Sequence, residues 1–211
     1  MKHYDKNDID GLHKIFRLNL INSITGIKPA NVIGTIDTDS KTNLAIISSV
    51  VHLGSNPGFL GFIMRPSGDV RRHTYENIMA TKVFTINHVL LPWIEKAHYT
   101  SAKFPEKVSE FEQCQLTAQY KNNFLAPYVA ESNIQIGLKL SETIDIKSNN
   151  TMMIVGAIEH IYIEDELISE EGYLDLQKAN TAGISGLNIY YALEQVDSFP
   201  YARISEIPSF D

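Results

Sequence analysis

A chain of 211 residues with 44% hydrophobic and 20% charged residues has the material for a buried core and lies outside the composition of disordered, collagen-like or coiled-coil proteins. Its formal charge of −7, with Arg71-Arg72 the one adjacent basic pair, argues against a nucleic-acid partner, because phosphate backbones are gripped by clustered lysine and arginine. The lone cysteine, Cys114, excludes an internal disulfide framework. Met1 to Asp10 is too polar for a signal peptide, and no stretch approaches the roughly 20 apolar residues of a membrane span, so a cytoplasmic protein with no membrane contact is expected.

Apolar positions at steps of three and four from Asp8 predict an amphipathic helix over residues 8–25, ending near Gly26. After Pro29 the pattern turns β-branched: Ala30 to Asp37, a polar turn over Asp37 to Lys41, then Asn43 to Leu53, which together read as a hairpin. Gly58 to Met64 and Val83 to Val89 are two further strands, with a short helix between them that starts at Thr74 as an N-cap and ends near Thr81.

Pro92 to Leu116 reads as two helical pieces, each opened by a proline (Pro92, Pro105) and separated at Thr100-Ser101. Tyr128 to Ile146 and Thr151 to Leu167 are long alternating segments joined by Lys147-Ser148-Asn149-Asn150, a second hairpin. The closely spaced glycines and prolines of residues 173–211 predict a tail that wraps the rest. About six strands in hairpin order, with helices inserted between them, do not fit a doubly wound parallel sheet; they predict one domain over residues 1–211, mainly β with helical additions, built as an antiparallel barrel.

Phosphate-loop, dinucleotide-fingerprint, zinc-protease and nucleophile-elbow motifs are all absent, and the seven histidines lack metal-ligand spacing, so no metal site and no catalytic nucleophile or acid–base residue is assigned. Two clusters remain. Asn43 and the run Ala45-Ile46-Ile47-Ser48-Ser49-Val50 combine a strand with small hydroxyls. In a regular strand Ser48 and Ser49 point to opposite faces, which suits a flavin ring whose edge needs donors and acceptors and whose faces need apolar cover. Arg65-Pro66-Ser67 and Arg71-Arg72-His73-Thr74-Tyr75-Glu76-Asn77 bring cations to a helix start, the usual setting for a phosphate. Plain strand residues and a solvated arginine pair beside an N-cap explain the same runs equally well.

Taken in order, Lys28-Pro29 with Asn31 to Thr35, Thr42-Asn43-Leu44-Ala45-Ile46-Ile47-Ser48-Ser49, Asn56-Pro57, Arg65-Pro66, His73-Thr74-Tyr75-Glu76-Asn77-Ile78 and Phe84-Thr85-Ile86-Asn87 resemble the flavin-reductase-like FMN-binding split-barrel family. The likeness is strong over residues 28–90 and weaker through Tyr99 to Phe104 and Gly186 to Tyr191. It implies a six-stranded Greek-key barrel, a homodimer, and one FMN held without a covalent bond near the interface. By position it assigns Asn43, Ala45, Ser48, Ser49 and Val50 to the ring and ribityl chain. Arg65, Arg72, His73, Thr74 and Asn77 fall to the phosphate, with Arg71 the alternative to Arg72, and Lys103 lies in a stretch that reaches the flavin.

The resemblance further implies an oxidoreductase in which NAD(P)H is a transient reductant and a small molecule the acceptor. An FMN-binding electron carrier reduced by a protein partner carries the same signals. A pyridoxine-phosphate-oxidase-like barrel needs extra basic residues for a second phosphate, which the sequence does not single out, and a cofactor-free barrel keeps the strands alone. Trp93 reads as a core or interface anchor, His52 and His88 as polar strand residues, Cys114 as a small buried hydrophobe, Glu164-Asp165-Glu166 as a solvated turn, and Tyr190 and Tyr191 as packing residues.

Overall fold

The computed structural model describes residues 1–65, 72–105 and 108–210. The N-terminal helix comes as two, α1 (Lys6–Gly11) and α2 (Lys14–Ser23), not the single span 8–25. Asp5 caps α1 reciprocally with Asp8: the Asp8 N–H donates to the Asp5 carboxylate at 2.8 Å and the Asp5 N–H to the Asp8 carboxylate at 3.0 Å, which moves the start upstream of Asp8. Gly11, a poor helix former, then gives way to extended backbone at Leu12, where α1 stops.

Strands β1 (Lys28–Pro29), β2 (Asn31–Ile36), β3 (Thr42–Ile47), β4 (Val51–Ser55) and β5 (Gly58–Met64) precede helix α3 (His73–Thr81) and strand β6 (Val83–His88). The two predicted helical pieces are α4 (Ile94–Tyr99), preceded by a 3-10 turn at Leu91–Trp93, and a single turn, α5 (Glu110–Gln113), that starts well beyond Pro105. Strands β7 (Ala118–Gln119) and β8 (Tyr128–Val129) form a two-stranded ribbon, followed by the long hairpin β9 (Ile134–Ile146) and β10 (Thr151–Ile163) and a last hairpin, β11 (Ala182–Ser185) and β12 (Ile189–Ala192). This last hairpin adds to β1 as a three-stranded sheet, and residues 194–210 lie exposed.

The principal sheet has seven antiparallel strands in the order β3-β2-β6-β9-β10-β5-β4, one more than expected. The extra one arises because Asn43 to Leu53 is two strands: β3 pairs with β2, and after Ser48-Ser49-Val50 the chain continues as β4 beside β5, at the opposite end of the order. Laid flat, six gaps of about 4.8 Å would separate those ends by roughly 29 Å. Four Cα steps from Ile47 to Val51 span at most about 15 Å. The sheet therefore curls until its ends meet, and a mainly β, split-barrel architecture results. Ser49 seals the seam. It falls in register with Ile63, continuing the Val51↔Gly61 pairing, and its hydroxyl accepts the Ile63 N–H at 3.0 Å and lies 3.4 Å from the Ile63 carbonyl.

Inside the curl, Ile33, Phe62, Phe84, Ile86, Leu138 and Ile154 from five strands pack with Ile78 of α3, and the Phe62 and Phe84 rings meet edge to face at 5.6 Å. On the outer face of β2 and β3, Val32 and Leu44 pack under Trp93, Ala97, Phe111, Cys114 and Ile184. Both faces of β2 are thus covered, which explains its run of buried residues without polar alternation. Trp93 is the expected anchor, its indole N–H donating to the Glu131 carbonyl at 3.2 Å. Among the described residues no helix is long and apolar enough to cross a membrane.

Gly34 marks the closest approach between layers. A Cβ there would collide with the Pro127 carbonyl oxygen and with the Thr85 hydroxyl, which donates to that same carbonyl at 2.6 Å. Gly34→Ala is expected to lower stability by about 2–3 kcal/mol through overpacking, read as a reduced urea midpoint with an unchanged slope. An unchanged midpoint would show that the 127–129 segment yields freely.

Candidate functional site

A groove of about 900 Å³ opens where the barrel ends meet. Its floor is the last part of β3 and the closing link (Ala45, Ile46, Ile47, Ser48, Ser49), one end is the start of α3, and the far wall comes from the segment after α4 and the β11–β12 turn. Of the residues assigned by resemblance, Asn43, Ala45, Ser48, Ser49, Arg65, Arg72, His73, Thr74 and Lys103 line this one groove. Val50 does not; it packs against the barrel interior. Asn77 sits behind the groove wall, buried, on a smaller cavity of about 260 Å³. Pro66, Ser67 and Arg71 lie outside the described residues.

Two local expectations change. Ser48 and Ser49 do not alternate on a regular strand, because they form the link between strands, where Ser49 is held by Ile63. Thr74 is not the N-cap of α3. Arg72 holds that position with no side-chain cap, and Thr74, in the first helical turn, is buried with its hydroxyl accepting the Asn43 amide at 3.0 Å. The Asn43 and Asn77 amides both also donate to the Thr35 hydroxyl, at 3.3 and 3.2 Å. These four side chains pin α3 to β2 and β3, so its first turn, with His73 and Thr74 lining the groove, is held in a fixed place.

The outer edge of β3 is occupied by side chains rather than by another strand. Leu44 N–H donates to the Glu110 carboxylate at 3.1 Å, and Ile46 N–H to the Thr100 hydroxyl at 2.9 Å, which itself donates to the Ala97 carbonyl at 2.7 Å. The next outward position is Ser48, where the chain turns away.

Charge in the groove opposes that of the chain. Lys28, Arg65, Arg72 and Lys103 line it with His73, against Glu110 as the one carboxylate among the described lining residues. The Arg72 Nε is buried with no hydrogen-bond partner among the described residues. Burial pushes the Glu110 carboxyl above its ordinary value, and the same burial, with Glu110 nearby, raises the Cys114 thiol. Lys28 is lowered, first by burial and then by Arg65. Among the described residues no group of three or more His, Cys, Asp or Glu is placed to hold a metal.

The sequence reading missed Glu110, Thr100 and Lys28. Nothing local in the sequence singles out Glu110; only the fold brings it to the edge of β3.

Residues 27–182 match the family described as flavin reductase like domain, and the chain belongs to that family. A split-barrel-domain protein from Shewanella frigidimarina NCIMB 400, assigned as a flavin reductase, is 43% identical and superposes with a TM-score of 0.92 over 96% of this chain and 100% of its own. A protein of Aquifex aeolicus strain VF5 is 26% identical over 186 residues, 88% of this chain and 91% of that one. An FMN-binding protein from Thermus thermophilus shares the fold, with a TM-score of 0.73, 15% identity, and coverage of 95% of this chain and 100% of that one.

Glu110 gives a pH signature. Its folded-state proton is held more tightly than in the unfolded chain, so its favourable contribution is complete below the ordinary value of 4.5 and is lost as pH rises through the raised one. Glu110→Gln keeps an oxygen for the Leu44 N–H. Its stability relative to the parent is expected to improve as pH increases from 4 to 8 in urea titrations; a pH-independent difference would refute the assignment.

Proposed function

We propose that the groove binds one FMN without a covalent bond and that the chain works as a cytoplasmic, homodimeric, NAD(P)H-dependent oxidoreductase of the flavin-reductase kind. The observation that carries this reading is the α3 end of the groove, where first-turn N–H groups without a side-chain cap stand next to Arg72, whose Nε is buried with no hydrogen-bond partner among the described residues. A phosphate dianion supplies the acceptors both lack, and it is favoured at a helix start. Arg65, His73 and Thr74 complete that end, while Asn43, Ala45, Ser48 and Ser49 lie along the ring and ribityl chain. Asn77 then acts from behind by holding α3, and Lys103 closes the rim.

Bound there, FMN would supply the capacity to accept a hydride and pass electrons on singly or in pairs. The chain's own part is to hold and shield. Ile46, Ile47 and Phe104 give apolar cover, and the main-chain groups of the closing link offer hydrogen bonds to the ring edge. No side chain has to act as a nucleophile or proton donor. The fold relationship to an FMN-binding protein supports the cofactor, and the lone buried cysteine suits a reducing compartment. The 211 residues then serve as one unit, whose exposed apolar residues, Phe16 and Ile24 near the N-terminus and Val196, Phe199, Tyr201 and Ile204 near the C-terminus, a second copy would cover.

Purified protein is expected to be yellow or to take up FMN at micromolar concentration, to bleach anaerobically with NADH or NADPH, and to elute as a dimer. Arg72→Met should weaken FMN about 10- to 100-fold, the loss expected for a charge-assisted contact. Colourless protein that refuses micromolar FMN overturns the reading. Yellow protein that neither nucleotide bleaches is a carrier reduced by a protein partner.

A further inference from the structure

The groove has a second cationic pole that the FMN assignment leaves unused. Lys28 stands on β1, and its ammonium donates to the main-chain carbonyls of Asn22 at 2.7 Å and Gly186 at 3.1 Å. These two bonds fix the amine between the end of α2 and the turn of the β11–β12 hairpin, where Leu187 and Asn188 also line the groove. An ammonium has three donors. Two go to neutral carbonyls, and no carboxylate pairs with Lys28 among the described residues.

Burial and the neighbouring Arg65 both disfavour the charge on Lys28, so an anion beside it would relieve two costs at once. An FMN phosphate held at the start of α3 with Arg65 would offset the second cost, but the first, burial of the ammonium between the end of α2 and the β11–β12 turn, stays uncompensated. The groove's volume of about 900 Å³ is near the upper end of the roughly 300–1,000 Å³ of small-molecule sites, which leaves room for part of a second ligand. With Arg65 and Arg72 set against the FMN phosphate, the described lining still holds Lys28 and Lys103 against the single carboxylate of Glu110.

We propose that Lys28, held by the Asn22 and Gly186 carbonyls on the wall of the groove, is the subsite for a phosphoryl group of the nicotinamide dinucleotide. The assignment rests on the flavin-reductase reading and deepens it by naming the residue that selects a phosphorylated reductant over a neutral one. The pyrophosphate common to NADH and NADPH and the 2′-phosphate of NADPH alone present the same chemistry.

The test uses the parent chain, Lys28→Met and Lys28→Arg. Inorganic pyrophosphate is titrated calorimetrically with and without saturating FMN. Flavin bleaching is followed anaerobically with NADH, NADPH and 1-benzyl-1,4-dihydronicotinamide, which carries no phosphate. Lys28→Met should weaken pyrophosphate about tenfold, the loss of one charge-assisted hydrogen bond. It should raise the half-saturating dinucleotide concentration by a similar factor, far more than that of the neutral reductant, and Lys28→Arg should restore most of the loss. A defect confined to NADPH identifies the 2′-phosphate, and one shared with NADH the pyrophosphate. Lys28→Gln, which keeps a donor for the two carbonyls, replaces the Met variant if that fails to fold. Pyrophosphate binding that is absent, or unchanged by loss of Lys28, overturns the subsite, as does an equal defect with the neutral reductant. Failure of both nucleotides to bleach the flavin overturns the functional reading instead, while the pyrophosphate titration still judges Lys28.

Discussion

The architecture depends on three residues. Ser48, Ser49 and Val50 connect strands that stand at opposite ends of a seven-strand order, and a link that short leaves the sheet no choice but to close. Closure costs backbone pairing at the seam, because the chain cannot turn from one strand into the other and keep every rung. The Ser49 hydroxyl offsets part of that cost by receiving the Ile63 N–H, placing a side-chain oxygen where a main-chain carbonyl would stand. The groove is the outcome of the same geometry: the split that the link spans opens onto the end of β3.

What faces the groove is settled by polar groups that the barrel cannot leave unsatisfied. Asn43, Thr74, Thr35 and Asn77 share hydrogen bonds in a buried set, and losing the Asn43–Thr74 or the Asn77–Thr35 bond takes from Thr74 or from the Asn77 amide its hydrogen bond within that set. That mutual dependence fixes the start of α3 against β3.

Much of the fold was legible because its signals are local. The β9–β10 hairpin, the β2–β3 hairpin and the helix before β6 follow from periodicity and turn residues, and the ordered motifs led to the family. The departures share a cause as well. Asn43 to Leu53 reads as one strand since all its residues suit extended backbone, and only the topology demands a break at Ser48. Thr74 carries the right hydroxyl for a cap, yet Asn43, 31 residues away, claims it. Glu110 and Lys28 are invisible to pattern reading because each owes its role to a carbonyl or N–H from a distant segment: Leu44 for one, Gly186 for the other.

The covering of β3 has one more effect. Its outward N–H groups at Leu44 and Ile46 already donate to Glu110 and Thr100, so no foreign segment can zip onto that margin. The opposite margin, β4, keeps Val51, His52 and Leu53 exposed and pairs only with β5. Strand addition to the principal sheet is thereby directed to β4, away from the margin that borders the groove.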